Sequence, residues 1–339
     1  MVNGKSKIDV SVLLLFHARA DHFSEVWAEV KKARPARLFL YQDGPRGERD
    51  MPGIMACREL VSDENIDWDC EVHRLYQERN YGCDPSEFIS QRWAFSLTDK
   101  CIVLEDDDVP SQSFFTFCKE MLDKYENDER ITMIAGFNTE KRLTDDSYFF
   151  TRAFSIWGWA SWARVVNNWD GDYGFVKDKA QFTELTAKAM KHRQRKAMLK
   201  MCEDHAAQNK EFYETIFWAY MTMHEGLAIM PSVNLINNIG MDGGTHYSAQ
   251  LNLLPKRLRQ QFTMPRCEMQ FPLKHPAEVV ENKDYQRLFY LRNAWDNPCR
   301  KVQYSLEELW LNLRHGNFRN ITKALANRIK KTLGLKKHV

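Results

Sequence analysis

The sequence has no Cys-x-x-Cys pair, no long apolar run, no excess of charge of either sign, no internal repeat and no low-complexity tract. Each absence removes a class of protein. The eight cysteines (57, 70, 83, 101, 118, 202, 267 and 299) are scattered, several inside apolar segments, and read as reduced, mostly buried thiols of a cytosolic protein. The longest apolar run near the start, residues 10–16, is too short to cross a bilayer, and no signal-peptide pattern precedes it. A cytoplasmic location, at most peripheral to the inner membrane, is therefore expected. With 48 basic residues against 46 acidic, no global field draws the chain to nucleic acid. What the chain does have is aromatic bulk. Ten Trp and twenty Phe among 339 residues suit a packed enzyme of one large domain or two smaller ones.

Residues 101–109 read Cys-Ile-Val-Leu-Glu-Asp-Asp-Asp-Val, four apolar or small residues running into four consecutive carboxylates, with Pro110 next. A short apolar run closed by a turn signal predicts a strand buried on both faces. Glu105, Asp106, Asp107 and Asp108 then fall at its C-terminal end, the edge where open α/β sheets bind ligands. Adjacent carboxylates repel one another, so a site that keeps them ionised supplies a cation. Oxygen-only ligands favour Mg²⁺ or Mn²⁺ over zinc. The alternative is a solvated acidic turn; the strand before it and the helix after it favour the site.

Residues 9–16 predict another buried strand, followed by a helix with Phe23, Val26, Trp27 and Val30 on one face and Asp21 as its cap. Strands are predicted over 37–42 and 72–76, with a helix over 51–61 between them. Asp84-Pro85-Ser86-Glu87 has the form of a capping box opening a helix with Ile89, Trp93 and Leu97 on its apolar face. A helix with Phe114, Cys118, Met121, Leu122 and Tyr125 follows the acidic strand, and a strand over 131–137 follows that. This alternation predicts an α/β fold with a mainly parallel sheet and helices on both faces. Beyond it come a Trp-rich stretch over 154–169, a basic helical excursion over 177–210, an aromatic helix over 212–224 and a strand near 233–236. Residues 255–298 read as irregular and lid-like. The expected division is a catalytic domain over 1–250 and a lid or helical extension over 251–339. The last stretch, 319–339, has seven Lys or Arg and no acid.

Residues 102–115, Ile-Val-Leu-Glu-Asp-Asp-Asp-Val-Pro-Ser-Gln-Ser-Phe-Phe, resemble the metal-site motif of GT-A glycosyltransferases. The resemblance is greatest to the N-acetylglucosaminyltransferase I group and its bacterial family-2-like relatives, and it spans roughly residues 8–250. It implies a GT-A, Rossmann-like fold and a hexosyl- or N-acetylhexosaminyl-transferase. Such an enzyme moves a sugar from a UDP-sugar to a hydroxyl of a glycan or lipid-linked glycan, with Mn²⁺ or Mg²⁺ at the diphosphate. By the same resemblance Asp107 is the direct metal ligand, and Asp108 points away from the metal. Glu105 and Asp106 hold ribose or metal-bound water, and His246, in the Thr-His pair at 245–246, binds the diphosphate or completes the metal shell. His17 and Arg19 follow the first strand, where the group contacts the nucleotide. Asp43, after Gln42, falls where a Gln-Asp pair faces the uracil, although an ordinary Asp-Gly turn reads the same way. Asn80 belongs to an Asn-x-Gly loop, Ser90 to the helix that packs beneath the nucleotide, and Gly158 and Trp159 to an acceptor-side loop.

The base departs from the pattern. Relatives place an Asp in the aromatic helix, where this chain has Thr215; Glu214 and Glu211 are the nearest carboxylates, and both also read as ordinary exposed helix residues. Inversion and retention of configuration both stay open. A sugar-phosphate nucleotidyltransferase would need a Gly-rich phosphate loop after the first strand, and residues 16–21 contain no glycine. A glycan- or nucleotide-binding protein without catalysis is a third reading, kept alive by the missing Asp. The basic stretch 319–339 reads either as contact with an anionic membrane or as a solvated helix end.

Overall fold

The protein's structure, a computed structural model, describes residues 4–241, 251–295, 297–318 and 320–322. It has two compact units, Met1–Gly240 with Met264–Phe289, and Met241–Thr263 with Tyr290–Val339.

In the first unit β1 (Ile8–Phe16) is the predicted apolar run. Residues 10–16 are all buried although neighbours point to opposite faces, so the strand is covered on both sides. Helix α1 (Ala20–Ala33) buries the expected stripe of Phe23, Val26, Trp27 and Val30. Then come β2 (Pro35–Gln42), α2 (Met51–Leu60), β3 (Glu71–Tyr76), α3 (Cys83–Phe95) and β4 (Lys100–Glu105), and the strands lie in parallel order β3-β2-β1-β4. Leu15 sits beside Glu105 and Phe16 beside Gln42, so the loops leaving β1, β2 and β4 open at one edge.

The chain continues through β5 (Asp108–Pro110), α4 (Gln112–Lys124), β6 (Ile131–Ala135), β7 (Tyr148–Thr151), β8 (Trp159–Trp162) and α5 (Ala163–Val166). Helices α6 (Lys179–Leu185), α7 (His192–Ala206) and α8 (Tyr213–Met223) precede β9 (Leu227–Pro231) and β10 (Ile236–Asn238). The eight-stranded sheet has the order β3-β2-β1-β4-β8-β6-β9-β7. Only β8 and β7 run against the rest, which makes this the expected α/β fold with a mainly parallel sheet. Strands β7, β8 and β9 are wholly buried and only four or five residues long, so no periodicity announces them. The strand expected near 233–236 lies slightly later, as β10, and pairs antiparallel with β5 outside the main sheet.

Residues 264–289, expected as part of a lid, are instead pinned to the first unit. Cys267 N donates to Asn234 O at 2.8 Å, and Asn282 N donates to Phe150 O at 2.7 Å. Met269 N donates to Ser113 Oγ at 2.7 Å. The Glu268 carboxylate accepts the Gln112 and Ser113 amides at 3.2 and 2.8 Å, satisfying the first turn of α4.

The last helices are α9 (Lys256–Gln260), α10 (Lys283–Arg292) and α11 (Pro298–Arg314). In the second unit α11 is capped by Asn297, whose side chain accepts Arg300 N at 2.9 Å, and Pro298 follows. Among the described residues no helix is long and apolar enough to cross a membrane. None of the eight cysteines, all among the described residues, forms a disulfide, and Cys57, Cys101, Cys118 and Cys202 are buried.

Candidate active site

Glu105 ends β4 and Asp108 opens β5, with Asp106 and Asp107 in the turn between them. A solvated acidic turn would leave these side chains in water. Asp106, Asp107 and Asp108 are instead only 5%, 8% and 0% exposed. Burying adjacent acids is costly unless donors meet them. Arg19, at the start of α1, meets two of them. Its Nη2 donates to an Asp106 oxygen and, at 2.8 Å, to Asp107 Oδ2. Burial would weaken the guanidinium's hold on its proton, but Asp106 and then Asp107 raise it above its ordinary value. Asn238 Nδ2 donates to Asp107 Oδ1 at 3.0 Å and to Asp108 Oδ1 at 3.1 Å, and Gly158 N donates to Asp108 Oδ2 at 2.9 Å. Gly240 closes the turn so tightly that a Cβ there would lie 2.0 Å from Asp107 Oδ2.

Positive charge remains short. Burial pushes Glu105 well above the ordinary carboxylate range, and the charges of Glu87, Asp108 and Asp107 add to it. Burial also raises Asp108, with Asp107 adding to the effect. Asp106 is raised by burial in spite of Arg19. Among the described residues one donor here has no partner: Arg19 Nη1 is buried and unbonded.

Glu87 extends the acidic group onto α3, and the sequence misassigned it. The expected capping box does not form, because Gly82, at φ +84°, takes the cap position and no side chain caps the helix. Asp84 pairs with Lys210 at 2.8 Å, and Glu87 accepts the Cys83 thiol at 3.3 Å. The buried face of α3 is also not the apolar one. Ser86, Glu87, Ser90 and Gln91 are buried, whereas Leu97 is exposed and Trp93 only half-buried. Burial raises Glu87 well above its usual range, and the charge of Glu214 adds to the rise. Tyr213, fully buried at the start of α8, is raised by burial and then by Glu87, Glu105 and Glu214, and its hydroxyl has no hydrogen-bond partner among the described residues. Glu214 itself is exposed and Glu211 half-buried, while Thr215 is buried. Glu87, Tyr213 and Asn238 are the residues that sequence reasoning missed. The only available signal was the polar run Ser90-Gln91 one turn after Glu87, on a helix beneath the sheet edge.

The remaining predicted residues separate into neighbours and non-neighbours of this edge. Asp43 organises a turn: its carboxylate accepts the amides of Gly44, Tyr81 and Gly82 at 2.9, 2.9 and 3.0 Å and Asn80 Nδ2 at 2.8 Å. Asn80 also donates to Gly44 O at 2.8 Å, and His17 Nε2 lies 3.1 Å from the same oxygen. The loops after β1, β2 and β3 are thereby tied together. Gln42 is turned inward, donating to His17 O and Ile54 O and accepting from Arg58. Ser90 is fully buried and donates to Glu87 O at 2.9 Å. Trp159 opens β8 beside Val103 but is turned into the core, 1% exposed, with its ring 5.3 Å from Phe217 and 6.2 Å from Trp169. Gly158 reaches the acids through its backbone alone. His246 lies outside the described residues.

Among the described residues no three His, Cys, Asp or Glu side chains form a cage for a metal ion. Mg²⁺-type sites seldom need one, since one or two carboxylates and the substrate's phosphates hold the ion. Asp106 and Asp107, all-oxygen donors beside an unpartnered Arg19 nitrogen, fit that mode.

No family model and no curated protein matches the sequence. Solved structures give partial likenesses. One is a UDP-glucose pyrophosphorylase complexed with UDP-glucose, at 10% identity over 48% of this chain and 81% of that one, with a TM-score of 0.29. Another is the inositol-1-phosphate CTP transferase of T. maritima, at 11% identity over 47% and 73%, with a TM-score of 0.28. A third is the glycosyltransferase GlyE of Streptococcus pneumoniae TIGR4, at 9% identity over 58% and 44%, with a TM-score of 0.26. Superpositions this loose establish nothing about this chain, whose fold and site rest on its own geometry.

Proposed function

We propose that the protein is a metal-dependent GT-A glycosyltransferase, moving a sugar from a UDP-sugar to a hydroxyl of a glycan or lipid-linked glycan. One observation carries this reading: three buried carboxylates, Asp106, Asp107 and Asp108, stand at the C-terminal edge of parallel strands with a single guanidinium among them. An edge so short of positive charge suits a ligand that arrives with a divalent cation. Asp107, with Asp106 beside it, would hold that cation, which when bound neutralises the charge growing on a leaving diphosphate. Arg19 supports the same role, since its unpartnered Nη1 is a ready donor for a phosphate or ribose oxygen. Asp43 and Asn80 keep the nucleotide-side loops in one arrangement. Glu214, at the head of α8 and within electrostatic reach of Glu87 and Glu105, is the candidate base, with Glu211 one turn before it.

Only His17, Ala18 and Arg19 separate β1 from α1, and none is a glycine. That absence supports sugar transfer over the alternative, a sugar-phosphate nucleotidyltransferase with a Gly-rich phosphate loop after its first strand.

A thermal-shift panel of nucleotides and nucleotide sugars, with and without Mn²⁺, tests the proposal. UDP and a UDP-sugar should raise Tm only with Mn²⁺ present; a flat panel would contradict it. Glu214→Gln should then lower turnover by on the order of 10²–10⁴, with donor binding little changed. Damage from Glu211→Gln instead would move the base by one turn.

A further inference from the structure

Helix α11 has two apolar faces, and only one of them is buried against a partner among the described residues. Tyr304 and Leu311 form the buried face, where the Tyr304 hydroxyl donates to Arg292 O at 2.7 Å. Val302, Leu306, Leu309, Trp310 and Leu313 form the other. Their spacing of i, i+4, i+7, i+8 and i+11 places them on one stripe, and each is between 42% and 61% exposed. Single exposed apolar residues are ordinary, but five in one unbroken stripe mark an interaction surface.

Charge identifies the occupant. Arg300, Lys301 and Arg314 lie on the same helix, and residues 319–339, which follow it, add seven Lys or Arg with no acid. The helix's own acids, Glu307 and Glu308, fall off the stripe, as Arg300 and Lys301 do, and Glu307 accepts Lys256 N at 2.8 Å, so the excess of positive charge comes from Arg314 and the segment that follows. The Arg314 guanidinium lies 5.1 Å from the Trp310 ring centre, so an amphipathic aromatic and a long basic side chain share one border of the apolar face. A second copy seated on this stripe would bring its own Arg300, Lys301, Arg314 and basic tail against the same groups, and like charges oppose that pairing. An anionic lipid surface meets both requirements at once.

We propose that α11 lies in the plane of an anionic membrane, inserting the Val302–Leu306–Leu309–Trp310–Leu313 stripe between acyl chains while the basic groups bind headgroups. Neither signal suffices alone: apolar insertion of one helix gives marginal binding, and a polybasic segment is released by salt, whereas the two together anchor stably.

Co-sedimentation of the full-length chain with vesicles tests this. The vesicles are of phosphatidylcholine alone, or of phosphatidylcholine with an equal amount of phosphatidylglycerol. The intact protein should bind the anionic vesicles, leave the neutral ones, and bind more weakly as salt rises. Leu306→Gln with Leu309→Gln and Leu313→Gln should reduce partitioning at least about tenfold, the scale expected for lost apolar insertion. All three sites are exposed, so circular dichroism should be unchanged; single Leu306→Gln serves if the triple variant misfolds. Arg300→Gln with Lys301→Gln and Arg314→Gln should weaken binding about fivefold per charge while keeping the stripe. Wild-type binding by the apolar variants, or equal binding to neutral vesicles, would overturn the proposal. So would absence of vesicle binding together with a dimer, seen by sedimentation velocity, that the leucine substitutions abolish.

Discussion

Asp108 accepts the Gly158 amide at 2.9 Å, and through that bond the fourth acid of the motif serves the fold. Its other oxygen accepts Asn238 Nδ2 at 3.1 Å, so one buried carboxylate fastens β5, β10 and the turn before β8. Gly158 has φ +60°, and a Cβ there would lie 2.5 Å from Ile236 Cδ1, so this approach needs glycine. Asp108→Asn turns an amide NH₂ toward one of two donors. It should cost about 1–3 kcal/mol in urea unfolding, the scale of a buried polar group left unsatisfied. An unchanged midpoint would remove Asp108 from the scaffold.

Asp43 predicts a local loss. Replacing it with Asn keeps the size but confronts part of the set of Gly44, Tyr81, Gly82 and Asn80 donors with another donor. Residues 80–82 should become sensitive to limited proteolysis while the sheet core keeps its protection in hydrogen exchange. Unaltered cleavage would show that the loop is held by other means.

Glu87 predicts a pH dependence. Its folded-state pKa is raised by burial and by Glu214, with Asp84 and Asp108 contributing, while Cys83 donates to it and partly offsets the rise. The stability tied to its protonated form is complete below its ordinary value of 4.5 and is lost as pH rises toward the raised folded value. Wild-type Tm should therefore fall over that interval. Glu87→Gln should flatten the fall and be the more stable protein at neutral pH. Melts of both proteins across the acid range decide the matter, and parallel curves would contradict the assignment.

Gly240→Ala probes the site without touching a carboxylate. The new Cβ would have to displace Asp107 from Arg19 and Asn238. Mn²⁺-dependent stabilisation by UDP should weaken while the fold persists, as calorimetry with and without nucleotide will show. Full retention of that increment would mean that the position of Asp107 does not matter.

The first half of the fold was readable because its central strands are long apolar runs and its helices carry clear apolar stripes, as residues 9–16 and the Phe23–Val30 stripe illustrate. Strands β7 to β9 escaped because four or five buried residues have no contrasting face. The acids at 105–108 were legible because an apolar run emptying into four carboxylates is uncommon. Their partners were not: Asn238 and Gly240 reach them only through the pairing of β10 with β5, about 130 residues away along the chain. Glu87 was misread because a capping box is a local pattern, and the backbone at Gly82 had already supplied the helix start. Trp159 turned out to be buried, because a Gly-Trp pair looks alike in a ligand loop and at the entrance to a buried strand.

In the proposed reaction Asp107 holds a divalent cation for a nucleoside diphosphate. Calorimetric titration of UDP into wild-type protein and into Asp107→Asn, each with and without Mn²⁺, tests it most directly. Asn keeps the size but removes the charge that a hard cation requires. Wild type should bind UDP appreciably only with Mn²⁺. Asp107→Asn should stay folded, at a cost in Tm of the same origin as that of Asp108→Asn since an amide NH₂ then faces Arg19 or Asn238, and should lose the Mn²⁺-dependent binding and release no UDP from a UDP-sugar. Undiminished Mn²⁺-dependent binding by Asp107→Asn would contradict the account.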